Sequence, residues 1–321
     1  MDSSSAVRQL RDEVGEWVER NLPEGYPPEP WPRTGSNKVI RESVSGYQVL
    51  QPHEYLILDT PIFQRLRYTH QTALAYLVYP TANHTRFDHS LGVAHTVLLI
   101  GRQQRFKQAR IAELRLAALL HDIGQCLFSH LSESLMENKF RDLYEAAKNA
   151  LEFSGRDLHF SEILSYLIIT SERFDSLLRN VVGHYCRGVD VDQVARLVIG
   201  KMPDDLAYLA DVITGPFDAD KCDYLVRDCC FSGIRADIDV PRVIISATVL
   251  DRKRFSADKY PKRNLVMQRT GAPNLEQIVF NKMLLFPAIY HHHKVRALEC
   301  MVRSIFETIW EDPDKIRDEE L

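Results

Sequence analysis

The 321-residue sequence predicts a mostly α-helical protein with a small β-hairpin-containing insert. Two observations carry that prediction. Between residues 90 and 230 apolar side chains recur at helical spacing almost without interruption. Further on, "VIISATVLDRKRF" and "RNLVMQR" flank a polar turn, which is the pattern of two paired strands.

Taken in order, Val7, Leu10, Val14, Trp17 and Val18 share one helical face, so a short amphipathic helix opens the chain. "LPEGYPPEPWPRTG" holds five prolines in 14 residues and reads as an extended arm. Residues 46–59 are strand-like, and Pro61 then suits a helix start. Helices follow over 90–101, 109–121, 131–150, 160–170, 174–185, 191–199, 204–213 and 219–229, and one long helix over 275–309 closes the chain. The expected organisation is an N-terminal helix and Pro-rich arm over 1–45, then one helical domain over 46–321 with its β insert near 240–270.

Composition narrows the class. Hydrophobic content of 45% and charged content of 26% are ordinary for a globular protein. A net charge of −4 gives no general attraction to nucleic acid or to anionic lipid. No run of about 18 apolar residues occurs, so no transmembrane helix is expected. The start "MDSSSAVRQLRDEVGEWVER" is polar and acidic, unlike a signal peptide. Cys126, Cys186, Cys222, Cys229, Cys230 and Cys300 make no CxxC pair, which predicts reduced thiols and a cytoplasmic location.

"HTRFDHSLGVAHT" and "AALLHDIGQCLFSH" place imidazoles beside carboxylates between apolar residues. Buried charge is costly unless it is paired or bound to metal. Leu116–Leu120 imply a buried helix leading to His121 and Asp122, with Gly124 suited to stopping it. Both side chains can face one ion where the helix ends and the backbone turns. His89 opens another apolar helix, and "FDADKCDYLVRDC" offers Asp218, Asp220, Asp223 and Asp228 as a distant carboxylate. Two imidazoles with two carboxylates suit Mn, Fe, Co, Ni or Zn, with Mg also allowed, rather than Ca. By spacing alone the same residues also suit two polar patches at helix ends.

"DTPIFQRLRYTHQ", "HTRFDHSLGVAH", "LLHDIGQCLFSH" and "DADKCDYLVRD" occur in the order found in the HD-domain phosphohydrolases. They resemble most the branch containing the SAM-and-HD-domain dNTP triphosphohydrolases and their bacterial relatives. "APNLEQIVFNKMLLFPAIYHHHKVRALECMV" is similar to that branch's substrate-side helix, so the resemblance runs over about 46–309. It implies an HD-domain helical fold, with His89, His121, Asp122 and Asp220 as metal ligands and Asp220 also at the reacting centre. It implies that Arg86, Lys221 and Tyr224 hold phosphates, that Asp228 lies near the sugar, and that Gln71 lies beside the nucleoside. Lys282 and Tyr290 match the basic and aromatic positions of the substrate helix. His159 falls near a family histidine that assists leaving-group protonation, while His130 reads either as a phosphate-contacting or ligand-supporting imidazole or as a helix-start residue. A nucleotide substrate, a nucleotide effector and a homo-oligomer follow from the same resemblance. A membrane does not follow, and nucleic acid is not the favoured partner.

Two positions depart from that pattern. Gln125 stands where the family has the last histidine of H-D-[IL]-G-H, and an amide cannot transfer a proton at neutral pH. Thr72 follows Gln71 where relatives that exclude ribose carry a bulkier residue. The expected activity is therefore a metal-dependent phosphohydrolase acting on nucleotides, with a (d)NTP triphosphohydrolase as the leading form. A phosphatase on monophosphates or other small phosphoesters, and a catalytically weak nucleotide-binding regulator, are the alternatives. The run His291–His293 reads as substrate-side helix surface with His292 turned inward.

Overall fold

The computed structural model describes residues 3–151, 158–235, 238–251 and 263–311. The basic stretch at 250–264, which reads as a solvated hairpin face with an effector-phosphate or nucleic-acid contact as the lesser alternative, lies mostly outside the described residues. The fold is mostly helical, as its periodicity predicts. Among the described residues no helix is long and apolar enough to cross a membrane.

Helix α1 (Ser3–Asn21) turns Leu10, Val14 and Val18 into the main core, with Leu22 just beyond it. The first helix therefore shares the core of the rest of the chain. The arm that follows is pinned by side chains: the Tyr26 hydroxyl donates to the Leu56 carbonyl, and Tyr185 donates to the Pro32 carbonyl. Strands β1 (Lys38–Glu42) and β2 (Gly46–Leu50) pair antiparallel, with Glu42 opposite Gly46. Gly46 takes φ +74°, a left-handed turn conformation that favours glycine.

The strand-like reading of 46–59 holds only as far as Leu50. Helix α2 (Pro52–Leu58) begins there because Glu54 accepts from the Gln51 amide at 2.8 Å and Pro52 occupies the first turn. Helix α3 (Pro61–Gln64), capped by Thr60, lasts one turn before a 3₁₀ segment. Helices α4 (Arg86–Gln103) and α5 (Gln108–Leu120) pack side by side at the centre. Leu114, Leu116 and Leu119 of α5 are fully buried, so the helix that leads into His121 is held on all sides.

The expected helix over 131–150 is two, α6 (His130–Lys139) and α7 (Arg141–Ala150). They are divided at Phe140, whose backbone (φ −113°, ψ 36°) is not helical. Helices α8 (Phe160–Ile169), α9 (Glu172–Tyr185), α10 (Val191–Val198), α11 (Ala207–Thr214) and α12 (Ala219–Ser232) follow close to expectation. Residues read as the start of a strand form helix α13 (Val240–Ser246) instead, because Asp239 caps the Arg242 amide and Pro241 fits the first turn. The hairpin itself is β3 (Ala247–Asp251) against β4 (Arg263–Met267).

The long closing helix is also broken. Helix α14 (Ala272–Leu285) passes through a π turn at Phe286–Tyr290 before α15 (His293–Glu311). Pro287 has no N–H to continue the ladder, and the His291 amide donates back to the Phe286 carbonyl at 2.7 Å. Of α15 only Val295 is buried, while Phe306 and Trp310 rest on Leu131 and Leu135 of α6. That contact lays α15 along the mouth of the cavity described next.

Candidate metal centre and its cavity

Four chain segments meet below the C-terminal end of α5. Thr85 caps α4 by accepting from the Asp88 amide at 3.3 Å, and Asp88 accepts from the Thr85 amide at 2.9 Å. This capping box fixes the first turn of α4, which carries Arg86 and the fully buried His89. Asp88, although beside His89 in sequence, is a helix cap. At the end of α5 the chain turns through His121–Gln125. Ser165 of α8 holds that turn, donating to the His121 carbonyl at 2.7 Å and accepting from the Gly124 amide at 2.9 Å. A Cβ on Gly124 would sit 2.4 Å from the Ser161 carbonyl and the Ser165 amide, so only glycine lets α8 approach this closely. Arg65 donates to the Ile123 and Gln125 carbonyls from the other side.

At the centre one ligand atom from each of His89, His121 and Asp220 lies within 4.8 Å of the others. His89 Nε2 stands 2.8 Å from Asp220 Oδ1, and His121 Nε2 stands 3.9 Å from the same oxygen. Asp122 Oδ2 is 3.5 Å from His121 Nε2 and 3.9 Å from His89 Nε2. The buried His121 Nε2 has no hydrogen-bond partner, and the buried His89 Nε2 meets only the Asp220 carboxylate. The other nitrogen of each ring is anchored: His121 Nδ1 to the Ala118 carbonyl at 2.7 Å, His89 Nδ1 to Asp223 at 2.8 Å. The Nε2 atoms of two imidazoles thus converge with two carboxylates, which is the donor set a borderline divalent ion takes. The residues fit a metal.

The charges here depend on one another. Burial alone would push the His89 imidazole down, but Asp220 and Asp223 overcome it and hold it up at about 10. Burial would raise Asp122 and Asp220, yet Arg86 and the imidazoles hold Asp122 at about 2, and His89 holds Asp220 far below the usual carboxylate range. Asp218, buried beside Asp220, is pushed up to about 7, first by burial and then by that like charge.

Above the centre opens a cavity of about 540 Å³. It is lined by Gln71, Arg86, His121, Asp122, Gln125, His130, His159, Asp220, Lys221, Tyr224, Asp228, Lys282 and Tyr290. Every candidate site residue except His89 reaches that surface, and His89 lies beneath it. Their partners are more specific than the sequence foretold. Arg86 pairs with Asp122 at 2.7 Å. Asp228 accepts from His84 at 2.7 Å and from the Tyr290 hydroxyl. Lys221 donates to Asp218 at 2.6 Å and to the Gly215 carbonyl at 2.9 Å. Gln125 Nε2 donates to Ser161 Oγ at 3.2 Å, and its buried Oε1 is unpartnered. His130 Nδ1 lies 3.0 Å from Glu133, whose other oxygen accepts from Ser161. Lys282 Nζ lies 5.6 Å above the Phe286 ring. His159 is mostly exposed, 3.8 Å from Glu137. His291 lines the cavity, whereas His292 packs edge-on to Tyr79 outside its lining.

Residues 86–182 match the model of the family described as HD domain. Over that stretch the chain is similar to an HD domain. Its arrangement is shared beyond those residues. An uncharacterised protein of Methanocaldococcus jannaschii is 30% identical over 283 residues, covering 88% of this chain and 52% of that one. The deoxynucleoside triphosphate triphosphohydrolase SAMHD1 of Homo sapiens is 29% identical over 289 residues, covering 84% of this chain and 44% of its own length. The chain spans about half the length of these curated relatives. A crystal structure of a hypothetical protein from Aquifex aeolicus superposes with a TM-score of 0.68 at 27% identity, covering 85% of this chain and 65% of that one.

Sequence reading passed over several residues around the HD centre. Glu133, Ser161, Ser165 and His84 act through partners distant in the chain. Asp223, one of the four carboxylates of its motif, faces the Nδ1 side of His89 and not the centre. Its bond to Arg227 spans one helical turn, a spacing that was readable in advance.

Proposed function

We propose that this protein is a metal-dependent phosphohydrolase acting on nucleotides, with (d)NTPs as substrates and triphosphate as the released product. The observation that carries the reading is the convergence of the Nε2 atoms of His89 and His121. They face Asp122 and Asp220 at the floor of a cavity that also presents Arg86 and Lys221. His89, His121, Asp122 and Asp220 would hold the ion, which when bound supplies Lewis acidity and a water of lowered pKa. Mn, Fe, Co, Ni, Zn and Mg all suit this donor set, and manganese is the ion we assign first.

The chain's own residues supply the rest. Arg86, already fixed by Asp122, and Lys221, released from Asp218, are the donors for phosphate oxygens. His130 is the group that moves a proton. Glu133 orients its Nδ1 side, leaving Nε2 on the Arg86 side at 3.5 Å. Gln125 only donates a hydrogen bond. His159 at the rim and the Tyr224 hydroxyl complete the polar wall. Gln71 and buried Thr72 face the nucleoside, Asp228 with Tyr290 the sugar, and Lys282 the substrate helix side. The similarity to SAMHD1, by its name a deoxynucleoside triphosphate triphosphohydrolase, supports the triphosphate assignment; a nucleotide effector and a homo-oligomer belong to the same proposal. Exposed Val279, Phe280 and Met283 on α14 add to the last. The six cysteines are free thiols, which agrees with a cytoplasmic location.

The test is a Mn²⁺-supplemented screen of dNTPs, NTPs and monophosphates, with products resolved by ion-exchange chromatography. Triphosphate release that disappears in His121→Ala is expected. Orthophosphate from monophosphates would identify a phosphatase, and full activity in His121→Ala would overturn the metal assignment.

A further inference from the structure

A chain of buried charge runs from His89 away from the cavity. His89 Nδ1 lies 2.8 Å from Asp223 Oδ2, and Asp223 takes the Arg227 guanidinium through both oxygens, at 2.7 and 2.8 Å. Arg227 donates onward to Glu42 at the end of β1. Glu42 Oε2 in turn accepts the backbone amides of Val44 at 3.0 Å and Ser45 at 2.7 Å, in the β1–β2 turn. The side chains of His89 and Arg227 are 0% exposed, that of Asp223 2% and that of Glu42 5%. Glycine at position 92 makes room for the chain: a Cβ there would meet Asp223 Oδ1 at 1.9 Å and Arg227 Nη2 at 2.3 Å.

We infer that Asp223, Arg227 and Glu42 are positioning residues for the metal ligand His89, a relay that ties the metal centre to the β1–β2 hairpin. The inference rests on the metal-centre reading above. Burying two carboxylates and a guanidinium is no efficient way to stabilise a core, since apolar residues of similar volume do as well or better. The arrangement makes sense if orientation is what it provides. An ionised Asp223 accepts a hydrogen bond, so the neutral ring carries its proton on Nδ1 and keeps the Nε2 lone pair for the ion. Asp223 cannot turn away, because Arg227 grips both its oxygens and is itself fixed by Glu42. His121 is set in the same tautomer by a simpler device, the Ala118 carbonyl. The hairpin, like Asp220, Asp223 and Arg227, lies outside the residues matched by the HD family model, so the centre is tied to chain on both sides of that stretch.

The experiment is a titration of the full-length apoprotein with Mn²⁺ alone, free ion followed by electron paramagnetic resonance, in wild type, Asp223→Asn and Glu42→Gln. Folding is checked by circular dichroism, and Co²⁺ absorption spectra report ligand geometry. Loss of a partner behind a ligating histidine weakens metal binding about 10–100-fold. Asp223→Asn is expected to fall in that range, and Glu42→Gln to weaken binding less, both with altered Co²⁺ spectra. A merely structural role would lower stability but leave the affinity of the folded protein and its Co²⁺ spectrum unchanged. A folded Glu42→Gln protein with wild-type affinity and spectrum would therefore overturn the relay. Should a variant fail to fold, ¹⁵N-histidine spectra of the metal-loaded wild type decide: a proton on His89 Nδ1 upholds the relay and its absence refutes it. Wild-type protein that binds no Mn²⁺, Co²⁺ or Zn²⁺ would overturn the metal-centre reading as well.

Discussion

Gly92→Ala isolates the packing behind the proposed metal centre. In the interior of an ordinary helix the change is favourable by about 1 kcal/mol. Here the new Cβ falls 1.9 Å from Asp223 Oδ1 and 2.6 Å from Asp223 Cγ, with Arg227 Nη2 at 2.3 Å. These are not free side-chain ends that can swing aside, since His89 and Glu42 hold the pair at either end. The methyl group must therefore break the buried ion pair or displace α12 from α4. Breaking such a pair costs about 3–5 kcal/mol. After subtracting the gain in helix propensity, a net loss of about 2–4 kcal/mol remains. That is a large part of the stability of a typical domain, about 5–15 kcal/mol. Urea denaturation of the apoprotein reads it as a lower midpoint with little change in slope. A Gly92→Ala protein as stable as wild type, with unchanged Mn²⁺ affinity, would refute the reasoning.

Other outcomes follow from the same geometry. His89, held near 10 without metal, must lose a proton to bind an ion. Calorimetry at pH 8 in two buffers of different ionisation enthalpy should show about one proton released per ion, and affinity rising about tenfold per pH unit; no proton release would show that His89 is already neutral. Because that value is raised from 6.5, its contribution to apoprotein stability is complete below pH 6.5 and is lost as pH rises toward 10. Urea midpoints of the apoprotein across that range check the sign. His130→Ala should lower kcat about 10²–10⁴-fold with a smaller change in KM, and Glu133→Gln should fall between it and wild type. A change confined to KM would make His130 a phosphate contact only. Gln125→His should raise kcat if proton transfer limits turnover, and steady-state rates on the substrate found by the screen will show it.

The parts of the fold that periodicity controls were legible. Helices α4, α5 and α8 to α12 fall near their expected bounds because each carries a continuous apolar face. Misreadings cluster where a single residue overrides the pattern. Pro287 breaks the closing helix, Phe140 divides α6 from α7, and the Gln51–Glu54 cap turns a strand-like run into α2. The residues that gather at the candidate metal centre could be picked out because their types are chemically narrow and their motifs local. Their partners were not. The attachments of Arg86 to Asp122, of Asp228 to His84 and Tyr290, and of Arg227 to Glu42 join residues 36 to 185 positions apart. No spacing rule reaches that far. The Asp223–Arg227 pair, one helical turn apart, was within reach.

The most direct test combines metal analysis of the purified protein with product analysis of wild type, His121→Ala and Asp220→Ala. The account predicts a bound divalent ion in wild type, nucleotide hydrolysis that depends on it, and loss of both in the two variants. Full hydrolysis by either variant, or catalysis that survives complete removal of metal by chelation, would contradict it.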